Sequence, residues 1–143
     1  MPKQGNAKAD SYLIDSKLNK KELTKLAEAL TNPILENYFI NESPKILNFS
    51  YAIEIGYMPG VTDNVGSTVK EIATDLLHLK NNSDFHVYTS KLFFVSGSLK
   101  NTQEFALTLY NPLIERAFIA PIKNGKIKLP NKIPEVILRK SVP

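Results

Sequence analysis

Residues 30–40, LTNPILENYFI, and residues 109–119, LYNPLIERAFI, share six identities in eleven positions without a gap, at an offset of 79 residues. The same offset aligns Ile14 with Phe93, Asn19 with Ser98, Leu26 with Phe105 and Ala27 with Ala106. Such self-similarity constrains the fold more than local propensity does. It implies one supersecondary unit used twice, and a unit of this size cannot bury its apolar face alone. The unit reads strand, helix, strand. Two copies predict an α+β fold: a two-layer antiparallel sheet with helices on one face, the copies related by a pseudo-two-fold axis. The strand and long helix at 48–79 have no counterpart ahead of the first copy. The expected body is therefore 11–119, with a first half-unit 11–40 and a second full unit 48–119.

The local signals fit this frame. SYLID at 11–15 reads as a strand, and Asn19 with Glu22 has the spacing of a capping box ahead of Leu23, Leu26, Ala27 and Leu30. Pro33 disfavours helix at the residue before it, so that helix should stop near Asn32, with a strand from Ile34 to Ile40. Polar NESPKIL at 41–47 is a connection. SYAIEIGY alternates as a half-buried strand does and ends at Pro59-Gly60. Thr62 or Asp63 can cap the next helix, whose apolar stripe is Val65, Val69, Ile72, Ala73 and Leu76. Residues 85–96 have strand composition over a length that suggests a bend. Asn101 with Glu104 repeats the capping spacing, Pro112 ends the third helix, and Leu113 to Ile119 is the last expected strand. Residues 120–143, punctuated by Pro121, Pro130, Pro134 and Pro143, read as a basic, Pro-interrupted tail or linker.

Composition narrows function by exclusion. Cysteine is absent, which removes disulfides, thiolate nucleophiles and thiolate metal sites. The net charge of +4 is concentrated in residues 120–143, where six basic side chains face Glu135 alone. The rest of the chain is close to neutral and carries no polycation field, so no nucleic-acid partner is expected. No apolar run is long enough for a membrane span, and MPKQGNAKAD lacks the apolar core of a signal peptide. The expectation is a cytoplasmic protein without a membrane partner.

The most function-like stretch is MPGVTDNVGST at 58–68. A tight turn there presents small polar groups and backbone N–H donors at a helix start. Pro59, Gly60, Val61, Thr62, Asp63 and Asn64 form a candidate interface or anion-facing turn, against the plainer reading of a capped helix after a turn. The stretch lacks the glycine spacing and lysine of a phosphate-cradling loop. His78 and His86 have no acidic neighbour at metal-ligand spacing, and Glu22, Glu28, Glu36, Glu42 and Glu54 are scattered. Ser96-Gly97-Ser98 is no nucleophile elbow. Tyr88, Phe93 and Phe94 on one strand could stack nucleobases, but core packing suits them better. No catalytic, cofactor-binding or metal-binding residue is assigned.

The two Asn-Pro segments, with the strand, turn and helix between them, resemble the PurS-like part of phosphoribosylformylglycinamidine synthase, over residues 11–119. IEIGYMPGVTDNVG at 53–66 approaches that family's strand running into Lys-Pro-Gly-Val-x-Asp-Pro-x-Gly and a helix. Here Met58 stands for the lysine and Asn64 for a proline. Its closing Asn-Pro, apolar pair, Glu pattern occurs at both Asn32–Glu36 and Asn111–Glu115. The unequal repeat fits the fused N-terminal domain of the large enzymes, with 120–143 as the start of a linker.

The resemblance implies a non-catalytic assembly domain in de novo purine biosynthesis, part of a C–N ligase that uses glutamine as amido donor. Its partners would be the synthetase and glutaminase parts, with self-association as a homodimer the other surface use. ATP and Mg belong to the parent enzyme and no cofactor to this chain. The alternative is a small-molecule-binding regulatory α+β module, with its ligand at the 58–68 turn or between the repeats.

Overall fold

A computed structural model describes residues 8–80, 85–128 and 135–141, with side chains of the last segment described at 137–139. The elements run β1 (Lys8–Asp15), α1 (Lys20–Leu30), β2 (Glu36–Ile40), β3 (Tyr51–Tyr57), α2 (Asn64–Leu76), β4 (His86–Val95), α3 (Leu99–Ala106), β5 (Glu115–Pro121) and β6 (Glu135–Ser141). All strands join one antiparallel sheet in the order β2-β6-β1-β4-β3-β5. No helix among the described residues is long and apolar enough to cross a membrane.

The helices share one face of the sheet. Tyr12, Ile14, Val87 and Ile137 pack with Leu23, Leu26 and Ala27 of α1 and with Val69 and Ala73 of α2. Beside them Ile53, Ile55 and Val95 pack with Phe105 and Ala106 of α3. The alternate strand positions point the other way. Ala9, Ala52, Leu92, Phe94 and Leu138 form a second core, covered by Ile46 and Phe49 from one connection and Ile122 and Ile127 from another. Strand side chains alternate between faces, so a sheet buried on both sides reads as a nearly continuous apolar run. Phe93 and Phe94 in FFV show this, one on each face.

Residues 8–40 and 86–121 both run strand, helix, strand at the 79-residue offset, and one bond of the cap and the asparagine-to-glutamate bond of the turn recur. Asn19 caps α1 with a complete capping box: the Glu22 N–H donates to Asn19 Oδ1 at 2.8 Å, and the Asn19 N–H donates to Glu22 Oε1 at 3.0 Å. At the aligned position Ser98 caps α3, accepting from the Asn101 N–H at 3.1 Å. Asn101, which has the capping spacing with Glu104, thus lies inside the helix. In each Asn-Pro turn the asparagine N–H donates to the glutamate four residues on, Asn32 to Glu36 and Asn111 to Glu115, both at 2.9 Å. Asn32 Oδ1 accepts from Ile34 N–H, and Asn111 Oδ1 from Leu113 N–H. The turns occupy 33–35 and 112–114, so β2 and β5 begin at the glutamates, two residues later than expected.

Three further expectations are corrected. Residues 120–143 are not a tail or linker throughout. Residues 123–126 make a two-residue hairpin on Asn124 (φ 54°) and Gly125 (φ 73°), whose N–H and C=O groups at Lys123 and Lys126 bond reciprocally at 3.0 Å. Residues 135–141 are β6, an interior strand between β2 and β1. Ile137 and Leu138 bury both faces of it, which outweighs the nearby prolines. Second, the length of β4, which suggested a bend, is taken up by unbroken pairing with two partners, β1 over 86–93 and β3 over 90–95. Third, on α2 it is Gly66, Val69 and Ala73 that are buried, while Val65 and Ile72 are exposed. Gly66 faces the sheet where the helix comes so close to β4 that a Cβ would overlap the Val87 carbonyl oxygen, so any other residue would require the helix to shift.

Candidate functional site

The turn singled out from the sequence lies beside a hollow in the second face of the sheet. β3 ends in a type II turn, with Pro59 at its second position, Gly60 at φ +86° in its third, and Val61 N–H donating to Met58 O at 3.1 Å. Met58 N–H donates to Ile114 O at 2.8 Å, which ties this turn to the second Asn-Pro turn.

Asp63 then caps α2. Its Oδ1 accepts from Gly66 N–H at 2.8 Å, and its carboxylate also accepts Thr89 N–H at 2.7 Å and the Thr89 hydroxyl at 2.9 Å. The positive end of the helix is therefore met by the chain's own carboxylate, which also pins α2 to β4. Of the two cap candidates, Asp63 is the one used.

Pro59, Gly60, Val61 and Asp63 line the hollow, and Thr62 and Asn64 do not. It has a volume of about 450 Å³. Its floor is Gly56, which stands between Ser90 on β4 and Arg116 on β5. Gly56 has no side chain, so the row across these three strands is empty at its centre. Glu54, two residues back on β3, accepts the Ser90 hydroxyl at 2.7 Å. Arg116 places its guanidinium carbon 5.3 Å from the centre of the Phe118 ring. Tyr88 and Phe118 form walls and are 47% and 56% exposed. The second-face core leaves this end of the sheet uncovered among the described residues.

Sequence reasoning located the turn but missed Glu54, Gly56, Arg116 and Phe118 as its neighbours. They come from two strands, and only the β3–β5 register brings them together. A glycine inside an alternating strand was the available signal. Tyr88, Phe93 and Phe94 divide as the strand period dictates: Phe94 is core, Phe93 half-buried under the helices, and Tyr88 a wall of the hollow. His78 follows α2 at φ 54° and His86 opens β4 with its ring 6.4 Å from that of Tyr88.

The other charged cluster lies on the helix face. Arg139 of β6 donates to Asp10 Oδ2 at 2.6 Å and to the Leu30 carbonyl at 2.8 Å, and its Nε lies 3.2 Å from Glu36 Oε2. Its guanidinium sits 5.5 Å from the centre of the Tyr12 ring. Burial acts to lower the Arg139 pKa, but its bond to Asp10 and the nearby acidic groups outweigh this and raise it. This is a structural clasp joining β6, β1, β2 and the end of α1. Among the described residues no group of three or more His, Asp or Glu side chains is placed to hold a metal ion. Comparison with protein-family models, with curated proteins and with solved structures gives no match.

Proposed function

We propose that this chain is a PurS-like assembly domain of phosphoribosylformylglycinamidine synthase, without catalytic residues of its own. In this role it joins the synthetase and glutaminase parts for the ATP- and glutamine-dependent conversion of formylglycinamide ribonucleotide to formylglycinamidine ribonucleotide. The observation that carries the reading is the recurrence of strand, cap, helix, Asn-Pro turn and strand at one offset, in a sheet whose order is symmetric about β1 and β4. A pseudo-two-fold body offers related surfaces on its two sides, which suits a piece standing between larger domains. Tethering two reaction centres in this way raises the effective concentration of an intermediate such as ammonia between them.

The tips of the two Asn-Pro turns supply matching contact points. Ile34 and Leu113 are each 83% exposed, beside the exposed Leu35 and Ile114. The turn bonds use only backbone, asparagine and glutamate groups, so nothing among the described residues requires aliphatic side chains there. Paired apolar tips at opposite edges of the sheet fit the anchoring of two partners.

Reconstitution tests the reading. Adding the chain to synthetase and glutaminase parts that lack it should restore glutamine-dependent turnover, and an Ile34→Asp, Leu113→Asp double variant should bind at least about tenfold more weakly. No restored turnover, together with no binding by calorimetry, overturns it.

A further inference from the structure

Around Gly56 the sheet carries opposite charges that are not spent on each other. Glu54 and Arg116 are diagonal neighbours across β3 and β5, a placement that sets Cα atoms roughly 7–8 Å apart and lets long side chains meet. Instead Glu54 takes the Ser90 hydroxyl and Arg116 lies on Phe118. A carboxylate with one hydroxyl donor keeps lone pairs for further donors, and a guanidinium stacked on a ring keeps its outward N–H groups. Asp15 adds a second acidic group to the rim, whereas Asp63 is already consumed by Gly66 and Thr89.

From this geometry we infer that the hollow over Gly56 binds a free α-amino acid, its ammonium group at Glu54, its carboxylate at Arg116 and its side chain against Tyr88. A simple anion would be repelled by Glu54 and a simple cation by Arg116, so only a ligand carrying both charges satisfies both groups. The volume lies within the roughly 300–1,000 Å³ of small-molecule sites and accommodates an aromatic side chain. The missing side chain at Gly56 gives the ligand's Cα a place to rest: a Cβ there would stand in ordinary contact with that of Ser90, 3.7 Å away, and so would be tolerated by the sheet while taking up that space. This binding is separate from the assembly role, and neither depends on the other.

The test is titration of the folded chain with the standard L-α-amino acids, by calorimetry and by amide chemical shifts. At least one should bind saturably and move the Gly56, Ser90 and Arg116 signals. The best binder is then compared with its decarboxylated and deaminated analogues; for L-phenylalanine these are phenethylamine and 3-phenylpropionate. Each analogue should bind at least about tenfold more weakly, as loss of one charged contact requires. Glu54→Gln keeps an acceptor for Ser90 and should still cost about tenfold in affinity. Gly56→Val, which a strand accommodates, should abolish binding while the circular dichroism stays native. Absence of binding by every amino acid at about 10 mM, a weak level of affinity by any measure, overturns the inference. So does equal binding of the single-charge analogues, or unchanged affinity in Glu54→Gln.

Discussion

Ser11 and Ser90, one repeat apart in sequence, are direct partners across β1 and β4. A two-fold axis relating each residue to the one 79 positions later would require one self-paired position where the central strands cross it, and Ser11 and Ser90 meet at the position such an axis would need. The outer strands follow. β6 stands beside β1 and β2 as β3 stands beside β4 and β5. Ile137 faces Ile40 as Ile53 faces Ile119, the repeat mate of Ile40. On the inner side the registers differ by two residues, because Ile53 faces Phe93, the mate of Ile14, whereas Ile137 faces Tyr12. A shift of two keeps every side chain on its original face, so the cores survive it; a shift of one would not allow that.

If the two Asn-Pro turns are one device, their asparagines should have similar energetic roles. Asn32→Ala and Asn111→Ala each remove a side-chain acceptor for turn N–H groups, and each should cost about 1 kcal/mol, as loss of a comparable cap does. The turns lead into opposite edge strands, so the double variant should show the sum of the two costs. Urea unfolding of the three variants measures this. A cost confined to one site would mean that the likeness of the turns is not energetic.

What was legible in the sequence was what depends on near neighbours. The Asn-Pro turns bond within four residues and the capping box within three, and the Asn, Pro and Glu shared by the two turns give the same Asn-to-Glu bond in each. The offset sets Ser98 opposite the Asn19 cap, but the local spacing pointed to Asn101, and the cap proved to be Ser98. β6 was illegible because its partners β1 and β2 are about a hundred residues away and prolines flank it. The hollow escaped notice for a related reason: its defining residue, Gly56, contributes an absence, and Glu54 meets Arg116 only through strand register.

The interior position of β6 makes the C-terminal segment indispensable. Removing residues 129–143 would strip Arg139 from Asp10 and Glu36, expose the core faces at Ile14 and Leu13, and take away the strand that pairs with β2. The truncated chain should lack a cooperative thermal transition and dispersed amide signals. The milder Ile137→Ala deletes a fully buried side chain and should cost about 2–5 kcal/mol. A truncated chain that unfolds like the full one would restore the view of this segment as a linker.

Gly66 reverses a familiar expectation. Glycine inside a helix normally disfavours it by about 1 kcal/mol relative to alanine, so Gly66→Ala would be stabilising on an exposed face. Here the new methyl would overlap the Val87 carbonyl and press on Asp63. The helix must lift away from β4, loosening the Asp63 bonds to Thr89 and the packing of Val69 and Ala73. A net destabilisation of about 1–3 kcal/mol is expected, as for other overpacked sites, measured as a lower urea midpoint. A raised midpoint would show that the close approach is not required.

Tyr12 links stability to alkaline pH. Burial raises its pKa above the ordinary value of about 10, and the neighbouring Arg139 only partly offsets this. The folded chain therefore holds the phenol neutral where the unfolded chain would release the proton. Its contribution to stability is complete below the ordinary tyrosine range and is lost as pH rises through the raised folded value. Tyr12→Phe removes that titration, leaving the ring against Ile14 and Ile137 intact. Urea midpoints taken from about pH 8 to about pH 11 should fall more steeply for the parent chain than for Tyr12→Phe once the ordinary tyrosine range is passed. Parallel slopes would show that other groups, and not this buried phenol, govern the alkaline limit.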